Sequence, residues 1–372
     1  MRIGLKRKHV FSLLLSILMI AAVAFCGIAA AEVIVQKRNI IKALAFLRSQ
    51  IKSTGLIDSY IEDNVDYSYT YDDALAAMAF ISAGRVSTAR RILDAFLKIS
   101  PEPEGGFLHR YDATTGNPIE GILAVGHNAY LLQAMNLYYI RTKDPRYNTV
   151  ARGIADYILS QQALDGGIYG RAGVTWKSTE NNLAAFSAIH NFGTVQKQPY
   201  YTSCAKNISV FVKTECWDGT RFLCGENDPM ITTDSQALGA MILGPAYKNG
   251  AYWVRKYTRN AKRYKPGRTV TGFDQNVDRD TVWVEGTLQQ AMAYVTVKDA
   301  VNFNFYKAEA EKLFQPSGAL WVASNEGTTG FGDCFQRWQA VAPTAWYVYV
   351  YTRNNIMSLY YHRDSGKILN GF

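Results

Sequence analysis

Five stretches of one character return along the chain at nearly constant spacing. They are YTYDDALAAMAFI, AVGHNAYLLQAM, KSTENNLAAFSAI, ITTDSQALGAMIL and VWVEGTLQQAMAYV. Each sets an ionisable residue at the head of a helical run of small and apolar residues. The ionisable positions are Asp72, His127, Glu180, Asp234 and Glu285, separated by 55, 53, 54 and 51 residues. A sixth apolar run, VAPTAWYVYVYT, follows with Pro343 in the corresponding place. Such a period marks a repeat architecture, whose units bury their apolar faces only against one another.

Charged amphipathic segments precede or separate these runs: VQKRNIIKALAFLRSQI, STARRILDAFLKI, RYNTVARGIADYILSQQ, YYTSCAKNISVFVK, AYWVRKYTRNAKRY and NFYKAEAEKLF. They carry Lys, Arg and Glu on one face at helical spacing, so that face meets water. The apolar runs show little charge along their length, as helices buried on all sides do. Six charged helices alternating with six apolar ones predict an all-α fold, an (α/α)6 toroid of six inner and six outer helices. Gly-rich turns follow several outer helices (PEPEGGFLHRY, ALDGGIYGRAG, CWDGTRFLCGEND, QPSGALWVASNEGTTGFGD) and read as short β-hairpins or loops over one mouth. All inner helices run the same way, so the five ionisable residues should ring that mouth.

One acid in a first helical turn needs no function, because the helix N-terminus carries partial positive charge. Several in register repel one another, and that crowding calls for a purpose.

Residues 1–31 read as a signal peptide or N-terminal membrane anchor, and 32–372 as a single catalytic domain. Arg2, Lys6, Arg7 and Lys8 precede an uncharged stretch from Val10 to Ala31, with small residues Ala29, Ala30 and Ala31 before Glu32. That run of about 22 residues is long enough to tether the chain to a membrane. Phe25 before Cys26 argues against lipidation. The folded part is therefore expected outside the cytoplasm, periplasmic or secreted.

Without this segment, 36 basic residues face 31 acidic ones. The one concentrated basic run, RKYTRNAKRYKPGR (Arg255–Arg268), reads as a solvated helix face and loop, and no nucleic-acid partner is expected. No P-loop is present, no cofactor is implied, and a monomer is expected. Cys204, Cys216, Cys224 and Cys334 form no CxxC pair, so no metal site is expected. Cys216 and Cys224 either bridge a short hairpin or stay as buried thiols. Apolar residues make up 48 % of the chain and aromatics 13 %, enough for a large core and for a carbohydrate cleft.

The architecture, with YDDAL (Tyr71–Leu75), GHNAY (Gly126–Tyr130), WKSTENN (Trp176–Asn182) and VWVEGT (Val282–Thr287), resembles the six-hairpin glycosidase superfamily over roughly residues 33–353. Its glucoamylase-like, cellulase-like and unsaturated-glycuronidase members are (α/α)6 barrels with acids at the mouth. The resemblance implies a glycoside hydrolase acting on a poly- or oligosaccharide.

Glycoside hydrolysis needs a proton donor and a base or nucleophile across the sugar bond. Glu180 is read as general acid, Glu285 as general base and Asp72 as the alternative base. Asp234 and His127 would position substrate or tune the acids, with Asn181 beside them. Trp176 and Trp283 precede the two glutamates, and Trp321 lies in a mouth loop; a flat indole suits a pyranose face. His109, Glu326 and Asp333 are weaker candidates. Inner helices three and five are next but one, which favours an inverting geometry. Three readings compete. A lyase or epimerase would use His127 and a tyrosine, and a glycan-binding subunit would do no chemistry. A terpene-cyclase toroid would need a better acid motif than Asp278–Asp280.

Overall fold

The computed structural model describes residues 37–359. The leader, Cys26 and the tether of residues 10–31 lie outside them. A first helix, α1, covers residues 37–49, and from Ala43 onward the chain forms one compact unit that carries everything below.

Six inner helices follow one another round a closed ring: α2 (Thr70–Ser82), α5 (Val125–Thr142), α7 (Thr179–Val195), α9 (Thr233–Leu243), α11 (Val284–Thr296) and α13 (Val341–Thr352). Each packs on the next, and α13 packs back on α2. The outer helices are α3 with α4 (Val86–Leu93, Ala95–Lys98), α6 (Asn148–Ser160), α8 (Pro199–Glu215), α10 (Lys248–Tyr257) and α12 (Ala300–Glu311). Counting α1, six outer helices alternate with six inner ones along the chain, as the periodicity predicts.

Composition explains the two layers. In α2 the run Ala74–Ala79 is wholly buried, and its alanines let neighbouring helices approach closely. By contrast α3 buries only Ala89, Ile92 and Leu93 and turns its arginines outward.

Four short two-stranded sheets lie in the connections. β1 (Tyr67–Tyr69) pairs with β2 (Arg110–Asp112), β3 (Arg259–Lys265) with β4 (Arg268–Phe273), β5 (Leu320–Trp321) with β8 (Gln339–Ala340), and β6 (Gly327–Thr328) with β7 (Cys334–Phe335). The β3–β4 hairpin corrects the sequence expectation for the basic run. The helix ends at Tyr257, and Arg259–Lys265 is a strand. Pro266-Gly267 supplies the turn, with Gly267 at φ 68°, a conformation open to glycine and costly for other residues. Tyr264 is buried between exposed Arg263 and Lys265, the alternation a strand produces.

One side chain near the head of each inner helix clamps the turn before it. Asn128 accepts from Phe107 N and donates to Phe107 O, both at 2.8 Å. Asn182 does the same for Ile168 at 2.6 and 3.0 Å, and Gln236 for Phe222 at 2.8 and 2.6 Å. Asp73 accepts from Ile57 N at 2.8 Å, Thr287 Oγ1 from Phe273 N at 3.0 Å and Thr344 Oγ1 from Leu320 N at 2.9 Å. These are backbone groups that a buried turn would otherwise leave unpaired. Glycines seat the turns from the other side. At Gly166 (φ +92°) a Cβ would lie 2.7 Å from the Asn207 carbonyl oxygen on α8, so only glycine fits.

Candidate functional site

The helix starts define which residues share the mouth. The second residues of the six inner helices are Tyr71, Gly126, Glu180, Asp234, Glu285 and Ala342. The third residues are Asp72, His127, Asn181, Ser235, Gly286 and Pro343. The expected ring of five ionisable groups in one register is therefore corrected. Glu180, Asp234 and Glu285 are in register on three consecutive helices, while Asp72 and His127 stand one residue further in. One residue on a helix is a rotation of about 100°, enough to turn a side chain from the opening into the helix interface.

Asp72 shows the consequence. It is 3 % exposed and hydrogen-bonds Ser59, and burial pushes its carboxyl up to about 7. Tyr71 takes the mouth position instead, and its hydroxyl donates to Glu285 Oε1. Gln289 Nε2, one turn along α11, donates to the same oxygen at 3.2 Å. Gly126 leaves its place empty because Asn181 fills it. A Cβ there would lie 2.3 Å from Asn181 Oδ1.

Two cavities open at this end and meet at Gln275. One, of about 430 Å³, is lined by Trp176, Glu180, Asn181, Asp234, Gln275 and Phe331 among others. The second, of about 530 Å³, is lined by Glu285, Trp283, Phe335, Trp338, Tyr60 and Gln275 among others. The two glutamates thus face adjoining lobes of one cleft. Trp176 is half exposed, an indole face open to a ligand. Trp283 stacks on Phe335 at 5.7 Å and also lines the second lobe. Asp333 also lines that lobe.

Trp321 lies elsewhere. It is 8 % exposed on β5, and the Arg337 guanidinium covers its ring at 3.7 Å. Glu326 is exposed in its loop. His109 sits 3.2 Å from Glu120 and ring to ring with His127 at 5.7 Å.

The electrostatics follow from burial without counter-cations. Burial, then the neighbouring Asp234 and Glu285, push Glu180 up to about 8. Burial does the same to Glu285, to about 8, with Asp72 and Asp234 adding to it and the Tyr71 hydrogen bond opposing it. Asp234 is raised by burial, against hydrogen bonds from Thr232, Ser235 and Gln275. Burial holds His127 down, to about 4, so its imidazole is neutral at pH 7. The helix dipole favours ionised carboxylates at these positions, and burial with mutual repulsion outweighs it. Both glutamates can then hold a proton near neutrality, and the charge of either one makes ionising its neighbour costlier.

Lys177, 6 % exposed, braces the Trp176 loop through ion pairs with Asp165 and with Glu226 at 3.0 Å. Cys216 and Cys224 are free buried thiols behind it. Among the described residues, Asp274, Asp278 and Asp280 bring carboxylate oxygens within 4.8 Å of one another. Gln275 N, Thr281 N and Thr328 occupy much of that oxygen set, which ties the Gln275 loop to β6.

Tyr71, Gln275, Phe331 and Trp338 were not read from the sequence as site residues. Tyr71 alone left a usable signal, being the second residue of its helix in YDDAL. The others reach the cleft from loops whose path no periodicity reveals.

No family model matches the chain, and no curated protein matches it either. Solved structures do. A glycosidase variant in complex with glucose superposes with a TM-score of 0.66 at 11 % identity, covering 87 % of this chain and 98 % of that one. A cellobiose 2-epimerase from Bacillus thermoamylovorans gives 0.63 at 13 %, covering 85 % and 98 %. A glycoside hydrolase family 76 mannosidase from Bacteroides thetaiotaomicron gives 0.60 at 12 %, covering 86 % and 98 %. At such identities the likeness concerns the fold: the chain has the (α/α)6 architecture of the six-hairpin glycosidase-like proteins.

Proposed function

We propose that the protein is a glycoside hydrolase acting outside the cytoplasm on a poly- or oligosaccharide, with Glu180 as general acid and Glu285 as general base. The observation that carries this is the placement of the two carboxyls in adjoining lobes of one aromatic-walled cleft. Glu180 has no opposing donor among the influences on its proton, so it stays protonated and can donate to a leaving oxygen. Glu285 is held by Tyr71 and Gln289, donors that favour its ionised form and orient it toward a water. Asp234, between them on α9, raises the cost of ionising both together. Trp176 on one side and Trp338 on the other supply faces for sugar rings, and Trp283, stacked on Phe335, walls the second lobe.

The two acids rise from α7 and α11, with α9 between them. Next-but-one helices leave room for a water, as the carboxyl separation of about 6.5–9.5 Å in inverting enzymes requires. Inversion is part of the proposal. The test is reducing-end release from a panel of polysaccharides, with proton NMR of the first-formed anomer. Activity that survives unchanged in Glu180→Gln contradicts it.

A second reading rests on one observation. His127 lies 5.9 Å from Tyr71 and 5.7 Å from His109, ring centre to ring centre, a neutral pair beside a phenol. In that reading these groups move protons on a bound sugar, as an epimerase or lyase requires. His127→Ala would then abolish turnover while Glu180→Gln spares it. The hydrolase reading expects the opposite order.

A further inference from the structure

The loop between α8 and α9 carries three acids, and two of them are paired. Asp218 meets Arg221 at 3.2 Å, and Glu226 meets Lys177 at 3.0 Å. The third, Asp228, takes part in no ion pair among the described residues and lines the first lobe of the cleft. Its loop is tied to that of Trp176, because Gly225 bridges to both Ser178 and Asp228. The Met230 N–H donates to Asp228 Oδ1 at 3.0 Å and holds the side chain in place. Trp176 and Phe331, both half exposed, line the same lobe.

The second lobe repeats the arrangement. Asp333, exposed between β6 and β7, lines it and again has no ion pair among the described residues. Phe335 and Trp338 line it too. Each lobe therefore sets one unpaired aspartate, apart from the two glutamates, beside aromatic surface. Asp234 differs, having donors in Thr232, Ser235 and Gln275.

Neither lobe holds a compensating cation. Among the described residues, no Lys, Arg or His lines either one. The cations nearby are engaged elsewhere: Lys177 with Asp165 and Glu226, Arg110 with Glu120, and Lys265 and Arg337 over Trp321, which lines neither lobe. A uronate or phosphorylated sugar would bring more negative charge to these acids. A neutral polymer would cover Asp228 and Asp333 without supplying the charge that covering them calls for. An ammonium group supplies it, through a charge-assisted hydrogen bond to the carboxylate and attraction to an aromatic face.

We propose that the substrate is a polymer of amino sugars with free, protonated amines, whose ammonium groups are received by Asp228 in the first lobe and Asp333 in the second. The rings then lie against Trp176 and Phe331 in one lobe and against Trp338 in the other, and Glu180 and Glu285 remain for proton transfer. This deepens the preceding reading and rests on it for the ligand being a carbohydrate.

Calorimetric titration of the full chain carrying Glu180→Gln tests it. The probes are glucosamine trimers in β-1,4 and β-1,6 linkage, each beside its N-acetylated counterpart, at about pH 6, where the amines are protonated. At least one amine trimer should bind roughly tenfold tighter than its acetylated counterpart. Added salt should weaken that binding by screening and shift the acetylated trimer far less. Adding Asp228→Asn or Asp333→Asn should bring the two affinities closer, by roughly tenfold for each. Asn keeps a carbonyl for the Met230 N–H, and Asp333 is exposed, so both variants should melt with the parent. Equal or tighter binding of the acetylated trimers in both linkages, or a preference that survives both substitutions together, would overturn the proposal. Cleavage of acetylated or neutral chains in preference to amine-bearing ones would overturn it too, and leave the hydrolase reading intact. Selective binding of an amine trimer without cleavage by the unsubstituted protein would defeat the hydrolase reading and leave the amine site standing.

Discussion

Glu285 and Glu180 differ in what touches them, and that difference sets their expected behaviour. Replacing either by Gln keeps shape and removes proton transfer, so kcat should fall by about 10²–10⁴ for each. Tyr71→Phe removes a donor that favours ionised Glu285. Glu285 then ionises at higher pH, and with it as the proposed base the acid limb of the kcat/KM profile should move upward. The same raised carboxyls make a stability prediction. Both are held near 8 in the folded chain against an ordinary value of 4.5, so the folded state binds more protons between those limits. Stability should be greatest below about pH 4.5 in this respect and fall as pH rises toward 8. The double variant Glu180→Gln, Glu285→Gln should therefore melt higher than the unsubstituted protein at pH 8, with the gap closing at pH 4.5. Scanning calorimetry at the two pH values checks it; an equal or lower Tm at pH 8 contradicts it.

At the scale of the element, the alternation of charged and apolar helices was legible because it is a consequence of burial, and burial selects residue type along whole helices. The register of the mouth was not. Asp72 and His127 align with Glu180 by eye, yet the helices start at Thr70 and Val125, one residue earlier relative to the ionisable groups than the eye supposes. What fixes the start is the clamp at Asp73, Asn128 and Asn182, a long-range bond to a turn that no local pattern announces. The clamps should matter energetically. Asn182→Ala leaves Ile168 N and O unpaired in a buried turn and should destabilise the fold by about 1–3 kcal/mol, read by urea unfolding. Asn191, exposed to different partners at the other end of α7, is a comparison site for the same substitution, since Nδ2 there bonds Gln133 and Met357. The β3–β4 hairpin was missed for a simpler reason. Its Lys and Arg residues suit a solvated helix as well as a strand, and only the Pro-Gly turn distinguishes the two.

For the molecule as a whole, closure of the ring by α13 against α2 joins the two ends of the described fold. On α13, Trp346, Tyr347 and Tyr349 are fully buried, and the Tyr349 hydroxyl bonds the Leu75 carbonyl of α2. A chain ending at residue 316 would lack α13 and β5, baring the apolar flanks of α2 and α11. It should lose the cooperative thermal transition and the near-ultraviolet dichroism of packed aromatics; retention of both would contradict the part assigned to closure. Closure also brings Glu285, 214 residues away in sequence, against Tyr71. The central claim is that a sugar bond lies between Glu180 and Glu285. A crystal structure of Glu180→Gln with a bound oligosaccharide tests this directly. The account predicts the glycosidic oxygen within hydrogen-bond reach of residue 180, and a water between Glu285 and the anomeric carbon. A sugar chain seated away from both positions would contradict it.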